Sequence, residues 1–503
     1  TYQAWSGIPE HKFNFNSDSL LNHYYNNLGV YYFNEADSIN LFYSDRRKYN
    51  VYRYPNQTDN YKQDHYQLFF NHNLPGVNLS TAFYLTKGAG YYEELKYNQK
   101  YSSYGLPNIT SGTSIMVATD LVRQLWLKNN LYGGVASLQG KKSKWDYTAG
   151  LNWNRFEGQH YGNITWAMQG IQKDYEWYRF PARKDDGNVY TKFGFRATPR
   201  LYLMGDLQYR HVYYRVSGTR KYPSLNVAER FNFFNPKFGL SYTLKKASLY
   251  LSYAVANKEP NRTDFETSSI EAPKREKLQD VELGVEYKDG KKTFGASAYY
   301  MVYKDQLVLT GKLNDVGDAV RINVPNSYRL GLETWAAYQM NTWLSLQGNV
   351  SISRNKLKLF TDYIPRYDLN FEFEGYDTVR LQNPDISFSP WLTAYAGITI
   401  KPVKNLEVWI NQKGVSKQYL DNTNSEHKKL QGYVVQDLQL RYSLNNKLVK
   451  TAELIFQLNN LWNKKYETNG YTYSYYYSAS LVKENFYYPM AGTNFMVGLN
   501  LHF

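Results

Sequence analysis

From about residue 61 to the end, apolar or aromatic side chains alternate with polar ones in segment after segment, and the connections between segments are short and long in turn. A period of two places alternate side chains on opposite faces of a strand. Val281, Leu283, Val285 and Tyr287 alternate with Asp280, Glu282, Gly284 and Glu286. Leu438, Leu440, Tyr442 and Leu444 alternate with Asp437, Gln439, Arg441 and Ser443. Leu249, Leu251, Tyr253 and Val255 do the same against Ser248, Ser252 and Ala254, with Tyr250 breaking the polar face. Carboxylates cannot face hydrocarbon, so one face of each strand must look into water while the other can look into lipid. Short turns are expected at 74–77, 141–144, 198–200, 245–247, 289–291, 341–342, 402–405 and 444–447, with Asp289-Gly290 as a two-residue hairpin signal. Long polar loops are expected at 97–130, 159–187, 218–230, 263–277, 313–327, 360–384, 421–432 and 469–489. Short connections on one side and long ones on the other are the mark of an outer-membrane barrel.

The 503 residues include 52 Tyr, 25 Phe and 11 Trp, yet no run of about 18 apolar residues occurs, so membrane-crossing helices are excluded. A strand crosses with only about 9–11 residues, half of them polar. The chain has no Cys, hence no disulfide, thiolate metal site or cysteine nucleophile. Its net charge of +15 comes from Lys and Arg scattered through turns and loops and not gathered on one stripe, which argues against nucleic acid. A basic outer surface suits an anionic ligand or lipopolysaccharide phosphates instead. The fold expected is all-β: a transmembrane antiparallel β-barrel of about seventeen strands, residues 61–503, preceded by an extracellular loop over 1–60. Single-chain bacterial barrels have even strand numbers, so roughly five further strands, making about 22, are expected before Thr1. A plug domain is expected to be missing with them.

Several stretches carry a resemblance. One runs Asn459-Asn460-Leu461-Trp462-Asn463-Lys464-Lys465-Tyr466, then Tyr488-Pro489-Met490-Ala491-Gly492-Thr493-Asn494-Phe495 and an alternating strand that stops on Phe503. A second comprises Ala254-Val255-Ala256-Asn257-Lys258-Glu259-Pro260-Asn261-Arg262 and Lys304-Asp305-Gln306-Leu307-Val308-Leu309-Thr310-Gly311. The third is Lys417-Gln418-Tyr419-Leu420-Asp421-Asn422-Thr423, and Thr1 to Pro9 is similar to a loop segment of iron-complex receptors. Together they resemble TonB-dependent receptors over essentially the whole chain. The resemblance implies a 22-strand plugged barrel in the bacterial outer membrane, driven by TonB, ExbB and ExbD pulling on an N-terminal box that this sequence lacks. Asn459, Asn460, Pro489, Gly492 and Phe503 are the motif residues expected to serve fold and assembly, with Pro489 and Gly492 opening the last strand.

No catalytic constellation is present. The eight His are dispersed, without HExxH or any pair at metal spacing, and there is no GxSxG. Asp185-Asp186-Gly187 is a solvated turn before it is a calcium site. No enzyme, resident metal or cofactor is therefore expected. Ligand capture is better supported, by aromatic and basic residues in the expected loops: Trp5, Arg46, Arg47, Tyr91, Tyr92, Trp177, Arg179, Arg183, Arg220, Arg262, Tyr471 and Tyr473. Guanidinium donors among Tyr walls suit an anionic, partly aromatic chelate. For any single residue, girdle or loop packing explains the same chemistry. The expected function is TonB-dependent uptake of a scarce iron complex, a ferric siderophore before haem. Cobalamin uptake and a passive or structural barrel stand as alternatives, and a surface lipoprotein is a further partner class.

Overall fold

A computed structural model describes residues 2–3, 5–10, 34–267, 272–313, 318–444 and 450–502. These residues are overwhelmingly strand, and none of their helices is long and apolar enough to cross a membrane. The chain divides into two compact units, Thr1–Phe193 with Asp206–Asn235 and Asn261–Ala272, and the remainder.

In the first unit Thr58–Leu74 pairs antiparallel with Val77–Lys100 across a Pro75-Gly76 turn, Gly76 taking a φ of +79° that suits glycine. Ala118–Lys142 and Trp145–Ala167 continue the meander, and Tyr175–Arg196 follows. Val77–Lys100 has 24 residues, Ala118–Lys142 has 25 and Trp145–Ala167 has 23, more than twice the roughly 9–11 needed to cross hydrocarbon. Their upper halves therefore stand in water beyond the membrane. The expected loops at 97–130 and 159–187 are corrected accordingly: only 101–117, which carries the short paired strands Ile109–Ser111 and Ser114–Met116, and 168–174 lie between the long strands. Both faces of a strand above the bilayer are wet, so polar residues no longer alternate with apolar ones and the period-two signal fades. Tyr91, Tyr92, Trp177, Arg179, Arg183 and Asp185-Asp186-Gly187 are thus strand residues. Within the segment preceding Thr58, Glu35–Tyr43 is a helix whose first turn is capped by the Asn34 side chain accepting from the Asp37 amide at 2.9 Å. Leu41 buries its inner face against Ile8 and Tyr49.

The second unit is an antiparallel meander in which Ala247–Lys258, Glu276–Asp289, Lys292–Leu313, Ala319–Gln339 and Leu344–Leu357 pair in succession. Leu392–Ile400, Leu406–Val415, Tyr433–Leu444, Thr451–Asn459 and Asn494–His502 complete it. Register keeps the two faces separate: Val281, Leu283 and Val285 lie opposite Tyr300, Ala298 and Ala296, while Glu282 lies opposite Tyr299. Leu283 is 56% exposed, as a side chain facing lipid must be. The turn at 289–291 sits one residue later than the Asp289-Gly290 signal predicts. Asp289 pairs with Lys292, so Gly290 and Lys291 are central and Gly290 takes the positive φ of 52°. The Asp289 carboxylate instead accepts from Lys246 at 2.7 Å and from the Tyr287 hydroxyl at 3.1 Å.

Two expected loops are hairpins: Leu359–Tyr367 with Phe373–Gln382, and Glu467–Tyr477 with Ser480–Pro489. Pro489 therefore closes a loop strand and does not open the last barrel strand, which begins at Asn494. In that strand Phe495, Val497 and Leu499 lie opposite Leu458, Phe456 and Leu454. Phe503 lies outside the described residues, as do residues 445–447 of the expected 444–447 turn.

Candidate functional site

In the second unit the extracellular segments are tied to one another around Gly311, at the tip of Lys292–Leu313. Gly311 has a φ of +83°, and a Cβ there would come within 2.6 Å of the Leu420 carbonyl oxygen and 3.0 Å of both Asp421 Cβ and Thr472 Cγ2. Only glycine lets the three segments approach this closely. Asn422 acts as a cross-tie, its Nδ2 donating to the Leu309 carbonyl at 2.7 Å and its Oδ1 accepting from the Ser387 amide at 2.8 Å. The Phe388 amide donates to the Tyr419 carbonyl, Asn485 Nδ2 to the His427 carbonyl, and the Tyr473 hydroxyl to the Leu313 carbonyl. Beneath them Lys428 Nζ lies 2.7 Å from Asp421 Oδ2, both residues 5% exposed or less. Asp421 Oδ1 also accepts from the amide and hydroxyl of Thr423, so the buried carboxylate is fully engaged. Burial, with the Asp421 charge nearby, pushes the Asp362 carboxyl above its usual range against the pull of Lys428 and Lys312; burial likewise lowers the Lys312 ammonium.

The two hairpins join edge to edge, Arg366 and Tyr367 pairing in parallel with Tyr476 and Tyr477. Their tips form a cluster of rings. Phe371 lies 4.6 Å from Tyr477, Phe373 lies 5.0 Å from Tyr376, and Tyr367 is edge-on to Tyr475 at 6.1 Å. Leu369 is 70% exposed and Phe371 57%, so this apolar cluster opens to solvent. Tyr471, deeper in the same sheet, is buried and stacked on Phe486 at 4.6 Å. Burial and the Glu484 carboxylate push the Tyr475 phenol up to about 12, so it stays a neutral hydrogen-bond donor at any physiological pH.

The same unit holds a cleft of about 590 Å³ on the polar face of its sheet, lined by Tyr250, Glu282, Tyr299, Arg329, Glu333 and Trp335 among others. Arg329 Nη1 donates to Asn355 Oδ1 and Ser389 Oγ, both at 3.1 Å. No sequence motif marks Arg329; its alternation with exposed Leu330 and Leu332 is the available signal.

In the first unit Arg123 bridges Glu94 and Tyr104, donating from Nε to Glu94 Oε1 at 2.7 Å and from Nη1 to the Tyr104 hydroxyl at 2.9 Å. Trp177 packs edge-on against Tyr104 at 5.2 Å, with Tyr178 beside it. Burial raises the Tyr178 phenol, and the charges of Arg220, Arg262 and Arg123 oppose the rise, so these cations gather near it. The unit thus brings Trp177, Arg220 and Arg262 toward one aromatic group. Arg262 is also ion-paired with Glu266 at 2.9 Å. Tyr91 belongs elsewhere, on a ladder with Trp126 and Tyr161 that ends in Arg179, whose guanidinium lies 4.2 Å from the Tyr161 ring centre. Arg183 pairs with Asp185, Tyr92 accepts from Gln57, and Trp5 donates to the Tyr49 carbonyl. Arg46 and Arg47 occupy the turn after the helix Glu35–Tyr43. Among the described residues no group of three or more His, Asp or Glu is placed to hold a metal ion.

The TonB dependent receptor-like β-barrel family matches residues 5–461. The chain belongs to that family. Its members are outer-membrane receptors and transporters, not enzymes. Among solved structures, this TonB-dependent receptor barrel is similar to the closed form of the ferric-catecholate import receptor Fiu from E. coli K12, with 15% identity and a TM-score of 0.65 over 90% of this chain and 66% of that one. The copper transporter OprC gives 16% and 0.62, over 87% and 65%. The ferric yersiniabactin uptake receptor FyuA from Yersinia pestis gives 15% and 0.55, over 88% and 61%. The chain thus spans 61–66% of the length of these three, and the likeness is one of fold. No curated protein matches the sequence significantly.

In this receptor barrel the closing motif ties strand ends together. Asn460, 3% exposed and at a φ of +52°, donates from Nδ2 to the Lys464 and Ala491 carbonyls and accepts at Oδ1 from the Lys464 amide. It thereby pins the segment entering the last strand to the segment leaving the one before. Gly492 leaves room for Asn463 Oδ1, which a Cβ would approach to 2.5 Å, and Asn459 donates to Asn494. The motifs at 304–311 and 417–423 meet each other at the Gly311 and Asn422 ties. Asn460→Ala is expected to lower barrel stability by about 2–4 kcal/mol, because several buried backbone groups lose their partner. Heat-modifiability on gels in detergent checks this; an unchanged unfolding temperature would refute the role.

Proposed function

We propose that the protein is a TonB-dependent active transporter that captures a scarce ferric chelate, a siderophore before haem, and carries it across the outer membrane. The observation that carries this reading is the braced extracellular assembly of the second unit, which presents the Tyr367, Phe371, Phe373, Tyr376, Tyr475 and Tyr477 rings on rigid hairpins. A pre-organised aromatic surface binds the aromatic rings of a chelate without losing much loop entropy. Arg329, on the polar face of the same unit, supplies a guanidinium donor for anionic oxygens of a chelate. The printed names of Fiu and FyuA, both receptors for ferric complexes, support the ligand class. Translocation needs no covalent chemistry. Energy would come from TonB, ExbB and ExbD acting through an N-terminal box and plug. A copper complex is the second reading, favoured by the likeness to OprC.

Equilibrium binding to the purified full-length receptor tests the reading. A ferric catecholate or other ferric siderophore should quench tyrosine and tryptophan fluorescence saturably, whereas a copper complex at the same concentration should not. Phe373→Ala and Tyr376→Ala should each weaken binding roughly 3- to 10-fold, the worth of one aromatic contact. Binding of copper alone, or of no ferric chelate at all, overturns the proposal.

A further inference from the structure

In the second unit the strand Phe373–Gln382 pairs with Leu359–Tyr367 on one side, and among the described residues no strand pairs with its other side. The hydrogen-bond phase decides which backbone groups stand free at this edge. The Asn383 amide donates to the Lys358 carbonyl at 3.2 Å, and these two residues lie opposite each other, next after the pair Leu359 and Gln382. Bonded and non-bonded pairs alternate along an antiparallel ladder. Leu381, Val379 and Asp377 therefore turn their backbone groups toward Phe360, Asp362 and Ile364, while Gln382, Arg380, Thr378 and Tyr376 turn theirs outward. Pro365 obeys the same phase: it lies opposite Tyr376, at a non-bonded position where its missing amide costs nothing. The outer edge thus presents four free amides and four free carbonyls at a repeat of about 7 Å.

Natural sheets blunt such an edge with Lys, Pro or a bulge. Here the register shift at Arg366 and Tyr367, beside Gly375, confines the regular edge to residues 376–382, and that stretch contains neither Lys nor Pro. Asp377 and Glu374 are ion-paired with Arg366, at 3.5 Å and 3.7 Å. Arg380, on the same face as Tyr376 and Thr378, is exposed and has no ion-pair partner among the described residues. The strand is held in place from within, because Leu381 packs on the buried cluster of Val308, Val324, Leu357, Phe360 and Ile386. An edge already fixed in its bound shape loses little entropy on pairing.

We propose that this edge takes up an extended segment of an extracellular protein as an added antiparallel strand, with an acidic residue opposite Arg380 and an aromatic or β-branched residue opposite Tyr376. Only a polypeptide backbone offers donors and acceptors in the alternation that Tyr376, Thr378, Arg380 and Gln382 leave open. In strand addition the main chain supplies affinity and the alternate side chains supply specificity. Antiparallel pairing sets the order on the partner: its acidic residue comes four positions before the aromatic or β-branched one. The proposal does not depend on the identity of the transported chelate.

The test selects short peptides from a displayed random library on the full-length receptor in nanodiscs. Enriched peptides should carry Asp or Glu four positions before an aromatic or β-branched residue. Hydrogen exchange read residue by residue should slow at the Tyr376, Thr378, Arg380 and Gln382 amides and stay unchanged at Asp377, Val379 and Leu381, which are already bonded. A net hydrogen bond is worth about fivefold in affinity, so N-methylating the peptide residues opposite Thr378 and Arg380 should weaken binding roughly 25-fold. N-methylating their immediate neighbours in the peptide should leave binding intact, which separates main-chain pairing from side-chain contact without altering the receptor. Thr378→Pro removes an outward amide and no bond to Leu359–Tyr367, and should also weaken binding; Arg380→Glu should shift the selection from acidic to basic residues. Failure to enrich any peptide, protection of other amides, or equal tolerance of both methylation patterns overturns the proposal. So does a receptor dimer in which the same four amides exchange slowly before peptide is added, since a second copy would then close the edge.

Discussion

Gly311→Val should uncouple the extracellular segments of the second unit while leaving the barrel folded. A β-branched residue at a φ of +83° costs about 1–2 kcal/mol in the backbone, and forcing methyl groups against packed atoms costs about 1–3 more. The nearest atom is the Leu420 carbonyl oxygen, which belongs to backbone and cannot rotate away. Relief must come by moving 418–430 off the strand tip, which breaks the Asn422 ties to Leu309 and Ser387. Limited proteolysis should then cut within 418–430 or 467–489, and chelate affinity should fall by roughly 100-fold if the two hairpins lose their common base. A protease-resistant Gly311→Val receptor with wild-type affinity would show that the tie is ornamental.

The second large effect is expected at the buried pair. Lys428→Met leaves the Asp421 carboxylate buried without its cation, a change that costs about 3–5 kcal/mol locally. Replacing both, as Asp421→Leu with Lys428→Met, should recover much of that loss, because the desolvation of two charges disappears with their attraction. Hydrogen exchange at Leu420, Asn422 and Thr423 reads the effect directly. Faster exchange in the single variant, partly restored in the double, is the expected pattern; equal exchange in all three would mean the pair contributes nothing to loop rigidity.

These residues also mark how far the sequence is legible. The alternation at 280–287, 248–255 and 437–444 shows because each strand there separates lipid from water, and the paired registers keep those faces apart. Above the membrane other strands run on through Lys100, Ala167 and Leu313 without that contrast, so their extensions read as loops. The hairpins at 359–382 and 467–489 are hidden for a related reason: dense tyrosine signals an interface but not a partner, and the parallel edge joining Tyr367 to Tyr477 links segments far apart in the chain. The closing motif is recognisable as a string, yet the work of Asn460 rests on a positive φ and three backbone partners that no string displays. Trp177, Arg220 and Arg262 stand out in the sequence as aromatic and basic loop residues, and only the fold gathers them near Tyr178. Tyr91, Arg179 and Arg183 stand out on the same ground and belong to outward-facing ladders instead.

Uptake of radiolabelled ferric siderophore by cells expressing the full-length receptor, with and without functional TonB, measures energised capture and import of a ferric chelate most directly. Saturable accumulation is expected that vanishes without TonB while surface binding persists, and that falls with Phe373→Ala and Tyr376→Ala. Accumulation that is unsaturable and indifferent to TonB would contradict it and leave a passive barrel.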